Sequence, residues 1–307
     1  MQTFDAIDPS LRFTRNDPTD PRLGELIQTR IDDGVAILGY PDEEGVRING
    51  GREGAKEGPQ EIRKHLYRMT PHPHRPLKNF ADFGNLPCTG ELKTRHQSAA
   101  AAVKTNLTQG LQVLSLGGGN DYAYADGLAF LESHSSAHPL VINVDAHFDV
   151  RDTSRGLSSG TPFYRLLETA HKFDFVELGI QTCCNSRAHW DYVQNKGGKI
   201  LTIEEWLESQ LSFVAYATQR LEDWLLKKRP TFLAIDMDAF AYPYAAGTSA
   251  SWPLGLPPHD FMSFFHLLLK RMDVKVLGIY EVAPRLEAGL GTAKLAAQLA
   301  HGFLHRV

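Results

Sequence analysis

The chain has 307 residues, 42% of them hydrophobic, with 32 Lys and Arg against 36 Asp and Glu. That is enough apolar material for one large domain with a sizeable core, and it excludes collagen, a coiled coil and a disordered tail. A net charge of -4 provides no field strong enough to hold nucleic acid or an anionic membrane, so neither partner is expected.

Taken in chain order, the N-terminus from Met1 to Asp8 has neither a basic n-region nor an apolar h-region, so a cytoplasmic location is the default expectation. Short aliphatic and β-branched runs at 35–38, 112–116, 140–144, 175–180, 199–202, 231–235 and 274–280 read as strands. Helical periodicity between them predicts, among others, a helix at 61–69 after Gly58-Pro59 and one long helix over 203–228. The strand runs are apolar almost throughout, as expected when helices cover both faces. The predicted fold is a three-layer α/β/α sandwich with a mainly parallel central sheet. No run approaches the roughly 20 apolar residues that a bilayer requires, so no membrane partner is expected on this ground either. Cys88 and the adjacent Cys183 and Cys184 are too few for a disulfide framework, lack the spacing of a zinc site and read as free thiols.

In sheets of this class the ligand site forms beyond the carboxyl ends of the strands. Three strands end there in residues that carry chemistry. Leu140-Val-Ile-Asn-Val runs into Asp145-Ala-His147-Phe-Asp149, and an extended backbone would turn all three of those side chains to one face. Thr231-Phe-Leu-Ala-Ile runs into Asp236-Met-Asp238, and Gln112-Val-Leu-Ser-Leu runs into Gly117-Gly-Gly-Asn120-Asp121. A lone Asp-x-Asp after a strand is most often a turn or helix cap. Two strands delivering same-face acids to one rim are better explained by a divalent cation, because four carboxylates cannot otherwise crowd together while ionised. Oxygen donors with one histidine favour manganese over structural zinc. Two ions about 3.5–4 Å apart would share bridging carboxylates and activate a water for hydrolysis.

At these residues the chain resembles the ureohydrolase family of arginases, agmatinases and formimidoylglutamases, over most of its length. The loops Gly45-Val-Arg-Ile-Asn-Gly-Gly-Arg-Glu-Gly-Ala-Lys-Glu-Gly-Pro59, Ser158-Ser-Gly-Thr-Pro-Phe163, Gly179-Ile-Gln181 and Ala246-Gly-Thr-Ser-Ala250 are most similar to the formimidoylglutamase branch. The resemblance implies an arginase-like fold in a single domain over 1–307, with 1–33 as an N-terminal extension, and two Mn(II) ions per chain. It implies Asp145 and Asp236 as bridging ligands, Asp149 and the position of Asn120 as ligands of the first ion, and His147 and Asp238 as ligands of the second. It also implies that Asp149 passes a proton from the attacking oxygen and that Glu281 anchors the cationic formimino or guanidinium group. From the residues alone, Glu281 stands evenly between that role and an exposed strand-end acid.

The family pattern has histidine where this chain has Asn120, a neutral and weaker donor, so the first metal is expected to be loosely held. Asn85 replaces a common acid, with a structural effect expected. Arginases carry a proton-shuttling histidine where this chain has Ser158-Ser159-Gly160, which counts against arginase. The expected substrate is a small molecule, N-formimino-L-glutamate, cleaved to L-glutamate and formamide in histidine degradation. Arg47, Arg52 and Arg151, with Ser159, are the candidates to hold its two carboxylates, although any one arginine taken alone reads first as a solvated surface charge. A guanidino substrate such as agmatine or guanidinobutyrate is the alternative, and a metal-poor, non-catalytic relative is a third reading, motivated by Asn120. A homo-oligomer is compatible with the resemblance.

Overall fold

Eight strands, β1 Val35–Gly39, β2 Phe80–Asn85, β3 Gln112–Leu116, β4 Leu140–Val144, β5 Asp174–Ile180, β6 Lys199–Thr202, β7 Pro230–Asp236 and β8 Asp273–Tyr280, form one sheet in the order β2-β1-β3-β8-β7-β4-β5-β6. Every pairing is parallel. The computed structural model describes residues 4–306, so Met1–Thr3, where the reading of the N-terminus begins, lie outside the described residues. Among the described residues, no helix is long and apolar enough to cross a membrane.

The strands are buried on both faces, and alternation sorts their side chains into two cores. Val35, Ile37, Leu114, Ile142, Leu233 and Leu277 face one side, against helices Gly58–Leu66, Pro258–Arg271 and Gly291–Phe303. Leu38, Val113, Val141, Phe232 and Val276 face the other, against helices Leu92–Thr108, Ala123–His134 and Pro162–Leu167. Each such side chain contributes about 1.5–3 kcal/mol by leaving water. The three-layer sandwich expected from the sequence is the fold observed.

Two local expectations are corrected. The helix expected over 203–228 is three helices, Ile203–Ser209, Phe213–Arg220 and Glu222–Leu225. Gln210 takes a left-handed φ of 56°, and Ser212 caps the next helix by accepting from the N–H of Ala215 at 3.3 Å. A break with its own cap overrides apolar spacing. The other correction is β2, which the sequence reading omits: Phe80-Ala-Asp-Phe-Gly-Asn85 is poor in strand-forming residues.

That edge strand is held from outside by a buried arginine. Arg63 donates from Nε to Asp82 Oδ2 at 2.7 Å, from Nη1 to Asn85 Oδ1 at 2.7 Å and from Nη2 to the Gly84 carbonyl at 3.0 Å. Asn85 therefore serves as the acceptor for a guanidinium. Asp5 exchanges backbone hydrogen bonds with Asn85 at 2.8 Å each way, and Leu23 is buried in the same core as Ile62 and Leu66.

Candidate metal centre

All the strand-end motifs meet at one rim. Asp145 leaves β4 with its N–H donating to the Leu178 carbonyl of β5 at 3.0 Å. The chain then bends rather than continuing extended, because the N–H of His147 donates to Asp145 Oδ1 at 2.7 Å and Asp149 has a left-handed φ of 49°. After β7, Asp236 accepts from the N–H of Asp238 at 2.9 Å and opens a 3-10 turn. The acids thus converge through tight turns and not through the extended backbone expected.

His147 Nδ1 lies 3.0 Å from Asp238 Oδ2 and 3.6 Å from Asp145 Oδ1. Two groups have ligand atoms that all fall within 4.8 Å of one another: Asp145, His147 and Asp238, and Asp145, Asp149 and Asp236. Asp145 belongs to both.

Asn120 follows β3 on the glycine turn. Gly118 is needed there because a Cβ would sit 1.8 Å from the Asp42 carbonyl oxygen. The Asn120 amide donates from Nδ2 to Asp149 Oδ2 at 2.7 Å and to Asp145 Oδ2 at 3.2 Å, while its buried Oδ1 has no partner. Asp121 points elsewhere, 2.6 Å from His96 Nε2. Arg165 Nη1 lies 3.0 Å from the other nitrogen of that ring.

The electrostatics are those of acids forced together out of water. Burial, then the carboxylates of Asp149 and Asp238, raises the pKa of Asp145. Burial, then Asp238 and Asp145, does the same to Asp236. Burial pushes Asp149 up to about 6. Burial also pushes Glu281 up to about 8, against the N–H of Asn120 that donates to it. For His147, burial opposes the charge, but Asp238 and Asp145 outweigh it and raise the ring's pKa. Positive charge placed among these carboxylates would relieve their mutual repulsion. An orphaned amide oxygen beside five oxygen and nitrogen donors fits a hard divalent pair such as manganese.

A cleft of about 520 Å³ opens over this cluster and is lined by His147, Asp149, Asp236, Asp238 and Glu281. Glu281 is only 4% exposed and takes a left-handed φ of 64°, so it is not the exposed strand-end acid that its sequence also allowed. Arg151 lines the cleft with Nη1 donating to Asn49 Oδ1 at 2.9 Å, and Ser159 Oγ accepts from Asn49 Nδ2 at 3.1 Å. Arg52 also lines it, but its guanidinium donates to the carbonyls of Ser249 and Thr248 at 3.0 and 2.9 Å.

The side chain of Arg47 is 61% exposed, lies 3.9 Å from Glu44 and is not part of the cleft lining. Asn49, His189 and Ser249 line the cleft without having been singled out. Asn49 and Ser249 lie within loops quoted for the resemblance, whereas nothing in the sequence around His189 marks it.

An all-parallel α/β/α protein with acids gathered at the carboxyl ends of its central strands has the architecture of a metal-dependent hydrolase. The arginase family model matches residues 33–305, and the chain belongs to that family. It is 31% identical over 290 residues to the formimidoylglutamase of Staphylococcus carnosus, covering 92% of this chain and 90% of that one. It is 33% identical over 284 residues to that of Staphylococcus aureus, covering 92% and 89%. The crystal structure of Trypanosoma cruzi formiminoglutamase with manganese superposes with a TM-score of 0.82 at 28% identity, over 93% of this chain and 97% of that one.

Proposed function

We propose that the chain is a formimidoylglutamase that hydrolyses N-formimino-L-glutamate to L-glutamate and formamide with two manganese ions. The observation that carries this reading is the sharing of Asp145 between two ligand groups, the arrangement that a bridged metal pair requires. The choice of substrate is supported by the relatives named formimidoylglutamase.

Asp145, Asp149, Asp236, His147 and Asp238 would hold the ions, with Asn120 as a weaker sixth residue once its amide turns to present Oδ1. When bound, manganese supplies Lewis acidity and a nucleophile from water at neutral pH. The chain's own residues do the rest. Glu281 places a buried carboxylate against the amidinium and fixes the formimino carbon. A carboxylate oxygen of Asp149 takes the proton from the water oxygen as it adds to that carbon. The bond to glutamate's nitrogen then breaks, and the same proton leaves on that nitrogen. Arg151 and Ser159, joined through Asn49, form the polar wall available to the substrate's carboxylates. Arg52 has its guanidinium committed to two carbonyls and supports that wall.

The test is glutamate and formamide release after dialysis against chelator and titration with manganese. Turnover that rises with manganese upholds the reading. Release of urea from a guanidino compound, with formiminoglutamate inert, would replace it.

A further inference from the structure

A second cavity, of about 660 Å³, lies toward the amino ends of the strands, away from the acids. Four segments converge on it and bring Arg22, His72, Arg75, His266, His301 and His305 to its walls. Among the described residues no Asp or Glu lines it. The tract Pro71-His-Pro-His-Arg-Pro76, whose interleaved prolines favour an extended surface loop, contributes Pro71, His72, Pro73 and Arg75 to one of those walls.

The imidazoles are fixed by backbone groups. The N–H of His74 donates to His72 Nδ1 at 3.1 Å, and the N–H of His72 donates to His305 Nε2 at 3.0 Å. His305 Nδ1 donates to the His301 carbonyl at 2.7 Å, and His301 Nε2 donates to the Thr70 carbonyl at 2.8 Å. These partners set the tautomers: His72 keeps a proton on Nε2, and His305 has both nitrogens occupied. A metal is disfavoured because neither His72 nor His305 offers a free acceptor nitrogen, and the described residues gather three metal-ligating groups only at the acid-rich rim.

What remains is an excess of positive charge over carboxylate. Arg22 gives Nη2 to Asp20 at 2.6 Å, but Asp20 is shared with Arg15 at 2.8 Å, and the buried Nε of Arg22 has no partner. We propose that this cavity is a second binding site, taking a small organic anion that carries a phosphate or clustered carboxylates. Arg75 and Arg22 supply fixed charge, His72 and His266 supply ring donors, and Met69 and Met262 receive the carbon skeleton. Burial lowers the pKa of His72, His266 and His305, and Arg75 and the neighbouring imidazoles lower it further. The charged groups that act on these rings are Arg75, His74, His301 and one another, and on its other side His305 lines a small pocket with Lys78, Arg306 and Asp273, whose carboxylate is the one acid there. An incoming anion relieves that repulsion and takes up protons, so it binds more tightly in acid.

The experiment titrates inorganic phosphate and, separately, citrate into manganese-loaded protein labelled in its histidine rings, at about pH 6 and about pH 8. Single His72→Gln and His266→Gln variants assign the signals. Saturable shifts at His72 and His266 are expected, about tenfold tighter at the lower pH and about tenfold weaker in Arg75→Ala, with hydrolysis unchanged. A response to phosphate alone or to citrate alone names the group recognised. Shifts confined to His147 and His189, shifts that fail to saturate, or the same affinity in Arg75→Ala and His266→Gln would overturn the proposal. So would a response of these rings to zinc and to neither anion.

Discussion

Asn120 and Glu281 are 161 residues apart in sequence and are joined by one hydrogen bond, from the N–H of Asn120 to Oε1 of Glu281 at 2.9 Å. This main-chain donor thus helps to aim the carboxylate proposed to receive the substrate's charge. Glu281→Gln keeps an acceptor for that N–H and removes the charge. Formamide release is expected to fall about 10²- to 10³-fold with the melting temperature nearly unchanged. Glu281→Ala strands the N–H as well, and calorimetry should record a further loss of about 1–3 kcal/mol.

Manganese binding discriminates the role of Asn120. An Asn120→His variant replaces an amide by a stronger donor, and if position 120 ligates as proposed, manganese affinity there should rise about 10- to 100-fold. The readout is free manganese by electron paramagnetic resonance during titration. An unchanged isotherm would show that position 120 does not reach the ion.

Loading should also stabilise the fold, because the ions bind a site that the unfolded chain lacks. At a hundredfold excess over Kd the gain is about 2.7 kcal/mol per site. Differential scanning calorimetry should record a melting temperature several degrees higher with manganese than with chelator. Coincident melting curves would mean that the acids do not hold the metal.

Removing the guanidinium of Arg63 probes the edge of the sheet and leaves the rim alone. Arg63→Ala leaves Asp82 buried without its partner and should cost about 3–5 kcal/mol in urea unfolding. Manganese affinity of the folded fraction should not change.

Asp126 provides a pH signature. It is fully buried and accepts from the hydroxyls of Tyr40 at 2.6 Å and Tyr280 at 2.5 Å. Burial raises its pKa from 3.8 to about 6, against the hydroxyls that lower it. Between those values the folded chain keeps a proton that the unfolded chain has released, so this group's contribution falls as pH rises through the window and is flat above it. Two units correspond to about 3 kcal/mol at most. In chelator-treated protein, the difference in unfolding free energy between wild type and Asp126→Asn should change by up to that amount between about pH 4 and about pH 6. A constant difference would show that Asp126 titrates normally.

The sheet could be read from sequence because its inner strands are buried on both faces and therefore written in unbroken aliphatic runs. β2 could not, since an edge strand carrying Asp82, Gly84 and Asn85 owes its conformation to Arg63 and to Asp5, which are remote in sequence. The acids were visible because their spacing follows strand ends. The turns that bring them together were not, because the left-handed backbone of Asp149 and Glu281 is imposed by tertiary contacts at residues that do not favour it. Arg47 and Arg52 show the same limit: charge type marked both, and only packing separates a solvent-facing helix from a guanidinium held by Thr248 and Ser249.

The strand order places β8 between β3 and β7, so no hydrogen-bonded path links the first three strands to β4–β7 until residues 273–280 are in place. Before β8 is available, strand pairing can build at most two half-sheets with an open seam between them. Asp145 and Asp236 already stand on one half, Asn120 stands on the other, and Glu281 arrives with the strand that closes the gap. The acids for the ions can therefore be assembled before the carboxylate for the substrate exists. A chain released early would lack the last part of the site, whichever metal it had met.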